Sequence, residues 1–143
     1  MINIPRLLLG GVVAAAVLIA SEALAYASYW PEVQRALTER GVGLDLFSLA
    51  GNLVSLTANL LTGLALAFFY VAARPRFGPG PRTAIVVAAA LWLGGYMVLI
   101  CALSLLNLFP GRILAMWSAL GLAELVAAAL AGAWVYREGA RRP

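Results

Sequence analysis

The sequence predicts an all-α membrane protein, a four-helix bundle with one short interfacial helix between its first two spans. Three observations predict it. Of the 143 residues, 64% are hydrophobic and 11% are charged, with a mean hydropathy of +0.94, and a soluble domain this small has nowhere to hide so much apolar surface. Crossing the hydrocarbon takes about 20 mostly apolar residues, and four such stretches stand out, at about 5–27, 47–73, 83–106 and 112–136. They use nearly the whole chain, so one transmembrane domain, 1–143, with no soluble module is expected.

The first span opens with Arg6 before an apolar run, and Ala23-Leu24-Ala25 resembles a small-residue cleavage site. The run is longer than a usual signal core and Glu22 sits just before that site, so a retained helix is expected. Gly10 with Ala14 and Gly11 with Ala15 make paired small-xxx-small steps, the composition that lets helices approach closely in lipid.

Residues 30–40 follow, with Pro31 at a first helical position and Gly41 and Gly43 beyond the end. Val33, Ala36 and Leu37 form one apolar face opposite Glu32, Arg35 and Glu39. A short helix lying on the membrane surface is expected, with Tyr26, Tyr29 and Trp30 at the boundary.

The second span carries Ser48, Asn52, Ser55, Asn59 and Thr62 at three-and-four spacing, which stacks them on one helix face. Polar groups inside a membrane usually face the bundle, so this helix should turn that face inward. Arg74-Pro75-Arg76-Phe77-Gly78-Pro79-Gly80-Pro81-Arg82 should then form a rigid hairpin through which neither neighbouring helix continues. Its arginines Arg74, Arg76 and Arg82 suit anionic lipid headgroups, at about 1 kcal/mol each.

In the third span Gly94 and Gly95 should allow approach to a neighbour, and Cys101 should pack as a small thiol. The fourth carries a small-residue stripe, Gly121, Ala128 and Gly132, beside Glu124, with Trp92, Trp117 and Trp134 filling gaps or marking interfaces.

All ten basic residues are arginine, and they cluster at helix ends. Arg6, Arg74, Arg76, Arg82, Arg137, Arg141 and Arg142 share one side with Glu138, while Arg35, Arg40 and Arg112 share the other with Glu32, Glu39 and Asp45. The positive-inside bias predicts a multi-pass protein of a bacterial inner membrane with both termini cytoplasmic. Charge placed this way marks topology and is no nucleic-acid footprint.

Counting about 1.5 Å of rise per residue from the expected outer ends gives two polar layers. Glu22 pairs with Asn52 near the outer boundary, and Glu124 pairs with Asn59 near the midplane. A charge at mid-bilayer costs at least about 3 kcal/mol, so Glu124 must be protonated, paired or beside water. Glu22, Asn52, Ser55, Asn59 and Glu124 are thus the candidate proton or ligand site.

With no histidine and one cysteine, the chain has no imidazole for haem and no paired thiols for a dithiol relay. No catalytic residue, metal ligand or cofactor site stands out, and an enzyme is the least favoured reading. An accessory or assembly subunit of a larger membrane complex, packing against other membrane subunits or against itself as a homo-oligomer, is favoured. A small proton-coupled transporter working through a buried carboxylate is the alternative.

Ile4-Pro5-Arg6, Gly10-Gly11, Glu22, the run 74–81 and Gly132-Ala133-Trp134-Val135-Tyr136-Arg137-Glu138 together resemble a family of small bacterial four-helix integral membrane proteins. The resemblance covers most of the chain and implies the same four-helix architecture. The family has no assigned activity, so the resemblance implies no catalytic residue.

Overall fold

The computed structural model describes residues 2–42 and 48–136. Asp45, Arg137, Glu138, Arg141 and Arg142, which carry part of the topology reading, lie outside the described residues, as do Gly43 and the expected start of the second span at residue 47. Helix α1 is Ile4–Thr38, α2 is Leu49–Phe77, α3 is Pro81–Leu91, α4 is Met97–Leu105 and α5 is Gly111–Val135. A five-residue π-helical turn, Trp92–Tyr96, joins α3 to α4, so Pro81–Leu105 is one span. All four spans are long and apolar enough to cross a membrane, and the protein is a multi-pass membrane protein.

Local signals set the helix starts. Asn3 caps α1 by accepting the Arg6 N–H at 3.2 Å, and Ser48 caps α2 by accepting the Gly51 N–H at 3.0 Å; each satisfies one of the free donors of a first turn. Proline opens α3 at Pro81, where its missing N–H costs nothing.

Two proline signals act differently from the expectation. The segment 31–38 is helical, but it continues α1 instead of forming a separate element, and 39–40 are a turn: Pro31 lies inside a 35-residue helix, about 50 Å long. Packing outweighs the lost backbone bond. Tyr26 stacks on Trp30 with centroids 4.8 Å apart, and Val33 and Leu37 are buried against Ile113 of α5. Likewise α2 runs through Pro75 to Phe77, so the hairpin shrinks to three residues. Gly78, with φ of +81°, ends it. Tyr70 locks that turn by accepting the Gly80 N–H at 3.1 Å, and the Thr83 hydroxyl donates to the Gly78 carbonyl at 2.7 Å.

Glycine sets the helix crossings. Gly10 and Ala14 face Gly132 of α5, where a Cβ on Gly10 would lie 2.9 Å from the Gly132 carbonyl oxygen. One position on, Gly11 and Ala15 face α2: a Cβ on Gly63 would lie 2.4 Å from the Gly11 carbonyl oxygen and 2.6 Å from the Ala15 nitrogen. The paired small residues of α1 therefore serve two different neighbours. Gly94 and Gly95 serve none, since a Cβ on either meets nothing within 4 Å; the expected approach at that pair is replaced by the π turn. Cys101, expected to pack, is exposed on the outer face of α4.

The core is lopsided. Ala14, Leu18, Leu66, Tyr70, Val87 and Ala128 belong to one buried cluster that joins the first half of α1, the second half of α2, α3 and the second half of α5. The second buried cluster among the described residues is smaller, Val33, Leu37 and Ile113 with mostly aromatic neighbours. No residue of α2 before Gly63 is buried, and among the described residues α2 and α4 make no Cα approach within 8 Å.

The α1–α2 crossing makes a direct expectation. Gly63→Ala should lower the thermal unfolding midpoint in detergent by the equivalent of about 1–3 kcal/mol of overpacking, whereas Gly94→Ala should not lower it. Equal midpoints would show that the backbones do not meet at Gly63.

Candidate functional site

The gap between the two core clusters is a cavity of about 800 Å³. Its back wall is α1 and α5, carrying Glu22, Tyr26, Tyr29, Trp117 and Glu124; α2 adds Ser48, Ser55, Asn59 and Thr62 on one side, and Tyr96, Leu99 and Leu103 close the other.

The crossings explain why both carboxylates reach it. Gly132 sits against Ala14. Glu22 is eight residues beyond Ala14 (22 − 14) and Glu124 eight before Gly132 (132 − 124), so on these antiparallel helices each stands about 12 Å above the crossing. They share a level.

The same geometry decides the hydrogen bonds and corrects the layer reading. The Asn59 side-chain amide donates to Glu22 Oε2 at 2.9 Å, and the Ser55 hydroxyl donates to the same oxygen at 3.5 Å. From the Ala15–Gly63 contact, Glu22 is seven residues along α1 and Asn59 four back along α2. Because side chains lean toward their own helix N-terminus, Glu22 leans back toward the crossing while Asn59 leans away from it, and they meet. The expected pairs, Glu22 with Asn52 and Glu124 with Asn59, fail because depth was counted from assumed helix ends, and α1 runs eleven residues past residue 27 (38 − 27).

Asn52 is exposed and is not part of the cavity wall. Thr62 lines the cavity while its hydroxyl donates to the Ala58 carbonyl at 2.9 Å. Glu124 is half-buried, and among the described residues no protein group hydrogen-bonds its carboxyl. Its carboxyl faces the cavity.

Tyr96 is the wall residue that sequence reading missed. A Cβ on Gly121 would lie 2.5 Å from the Tyr96 ring, so the ring lies flat on α5 three residues from Glu124, using space that only glycine leaves. The π turn delivers it there, anchored by the Trp92 indole N–H donating to the Ser118 carbonyl at 2.9 Å and by the Ser118 hydroxyl against Met97 Sδ at 3.1 Å. Such turns recur at functional sites, and Gly94-Gly95 before Tyr96 is the sequence trace of this one. Tyr29 and Trp117 meet edge to face at 5.8 Å, and Phe109 and Trp117 at 4.9 Å, forming an aromatic rim at the end of the cavity away from the glycine crossings.

The expected lipid-contact arginines separate. The Arg74 guanidinium lies 5.8 Å from the Tyr70 ring centroid and 5.2 Å from that of Tyr136, half-buried beside a second cavity of about 550 Å³. Arg76 and Arg82 are exposed at that end.

In chemical terms, the main cavity offers one carboxylate held by an amide and a hydroxyl, a second without a protein donor, and aromatic faces around both. That set attracts cations and can exchange protons. Compared with known proteins, the chain matches no protein-family model, no curated protein and no solved structure.

Asn59→Leu should lower the unfolding midpoint by the equivalent of about 1–3 kcal/mol, since it strips the main donor from Glu22. An unchanged midpoint would overturn the Glu22–Asn59 pairing.

Proposed function

We propose that the protein is a small proton-coupled transporter of a bacterial inner membrane, with Glu22 and Glu124 as the site where a cation and protons compete. One observation carries the reading: the two carboxylates of separate spans face one open cavity at one level, and Glu124 has no protein donor. A polar stripe that served packing alone would close on itself, because unsatisfied polar groups in a membrane are costly. Here only the Glu22 half closes. Glu124 is left for a proton, water or ligand, which is what an exchange site needs.

The seven arginines of the first end, the hairpin and the tail put both termini in the cytoplasm on this reading. The cavity then lies in the outer half of the membrane, and Arg76 and Arg82 meet anionic headgroups of the inner leaflet.

An accessory role in a larger complex is supported by a different observation. The gap between α2 and α4, flanked by the exposed Val54 and Leu99, presents an apolar face of the kind that a helix from another membrane subunit covers. The resemblance to a family of small four-helix membrane proteins is compatible with either role.

Two measurements separate them. In sealed vesicles, Glu124→Gln should abolish proton-linked flux at unchanged folded yield; undiminished flux would exclude this carboxyl as the coupling site. Native mass spectrometry of the protein drawn from its own membrane in mild detergent should give a monomer or homo-oligomer. Other membrane subunits in fixed ratio would favour the accessory role instead.

A further inference from the structure

The two sides of the main cavity differ in chemistry. Its back wall, α1 and α5, holds both carboxylates, while its mouth between α2 and α4 is apolar. There, Val54 is 70% and Leu99 is 55% exposed, with Ala58 and Leu103 behind them. Among the described residues no arginine lines the cavity, so an anion would meet uncompensated carboxylates. A bare metal ion fits poorly too, because hard cations want a tight shell of oxygens and most of these walls are carbon. The volume of about 800 Å³ lies within the roughly 300–1,000 Å³ of small-molecule sites. Tyr29, Tyr96 and Trp117 add ring faces beside the carboxylates, and such faces attract organic cations.

We infer that the cavity takes a lipophilic organic monocation, with its charge at Glu124 and Glu22 and its apolar body toward the mouth, and admits it sideways from the lipid between α2 and α4. This names the ligand class of the site proposed above and rests on that reading. The Glu22 carboxylate already holds the Asn59 amide and the Ser55 hydroxyl, which satisfy its lone pairs without neutralising it, so a monocation beside Glu124 leaves the second negative charge to be met by a proton. Sideways access follows from the separation of α2 and α4 among the described residues, which leaves the mouth facing acyl chains.

The test uses the full chain in phosphatidylcholine nanodiscs and ethidium as the probe, followed by its fluorescence. Saturable one-to-one binding is expected, displaced by tetraphenylphosphonium and not by choline. Glu124→Gln and Glu22→Gln should each weaken it about tenfold or more, Glu124→Asp should restore most of it, and Arg76→Gln, far from the cavity, should leave it unchanged. Leu99→Trp, which narrows the mouth, should slow association at an unchanged unfolding midpoint. Absence of saturable binding, equal affinity in the Glu22→Gln/Glu124→Gln double variant, or displacement by choline would overturn the ligand class; an unchanged association rate in Leu99→Trp would overturn the sideways route. Ethidium bound but never carried across a vesicle membrane would support the ligand class and remove the transport reading. Proton-linked flux of sodium lost in Glu124→Gln, with no ethidium binding, would do the reverse.

Discussion

The close backbone contacts of α1 with its two neighbours are the constraint on which the rest depends. Lipid tails are as apolar as leucine, so helices in a bilayer gain little from hiding apolar side chains and rely on tight van der Waals contact. Gly10 against Gly132 and Gly11 against Gly63 supply it on two faces of one helix. Because both contacts involve backbone atoms, they fix distance and register together. Sliding either neighbour by one residue would bring a Cβ onto a carbonyl oxygen, and the depth of every side chain on α2 and α5 relative to α1 follows from that.

This register turns scattered polar residues into a site. Glu22, Asn59 and Glu124 are on three helices, each useless alone, and the crossings bring Glu22 onto Asn59 and level with Glu124. The same contacts hold the half of the bundle around Gly63 and Gly132 so firmly that the other half need not close. Among the described residues, that other half is tied by Arg40 donating to the Asn107 carbonyl at 2.9 Å and by Arg112 meeting Glu32 at 3.2 Å, the latter an exposed pair of the kind that contributes about 0–1 kcal/mol. Aromatic contacts of Tyr29 and Phe109 with Trp117 hold α1 to α5 there, while α2 is left to lean away.

What was legible in the sequence depended on whether the signal was local. Four spans and the polar spacing of α2 could be read directly, because hydropathy and helical spacing are properties of neighbouring residues. The small residues of α1 were legible as contacts, but their partners were not, since nothing local says that Gly10 and Gly11 point at different helices. The polar pairing failed for the same reason: Asn59 meets Glu22 through a register set at Gly63, and boundary counting does not contain that information. Pro31 and Pro75 misled because proline speaks only for its own turn, and the packing of Val33, Leu37 and Tyr70 on distant residues overrode it. Tyr96 stayed hidden because its place depends on the missing side chain of Gly121, twenty-five residues away (121 − 96).

A packed half and an open half also explain why the charged groups sit where they do. Glu22 and Glu124 occupy the level at which the close-packed core ends and the cavity begins, so each has an apolar wall behind it and room in front. One turn deeper they would meet Leu18, Leu66 and Leu125, where nothing could solvate them. One turn further out they would reach the aromatic rim and lose the apolar surroundings that make a carboxylate select for a proton or an organic cation. The glycine contacts therefore do more than hold the bundle together: by fixing where close packing stops, they set the depth at which a membrane carboxylate can exist and still be reached.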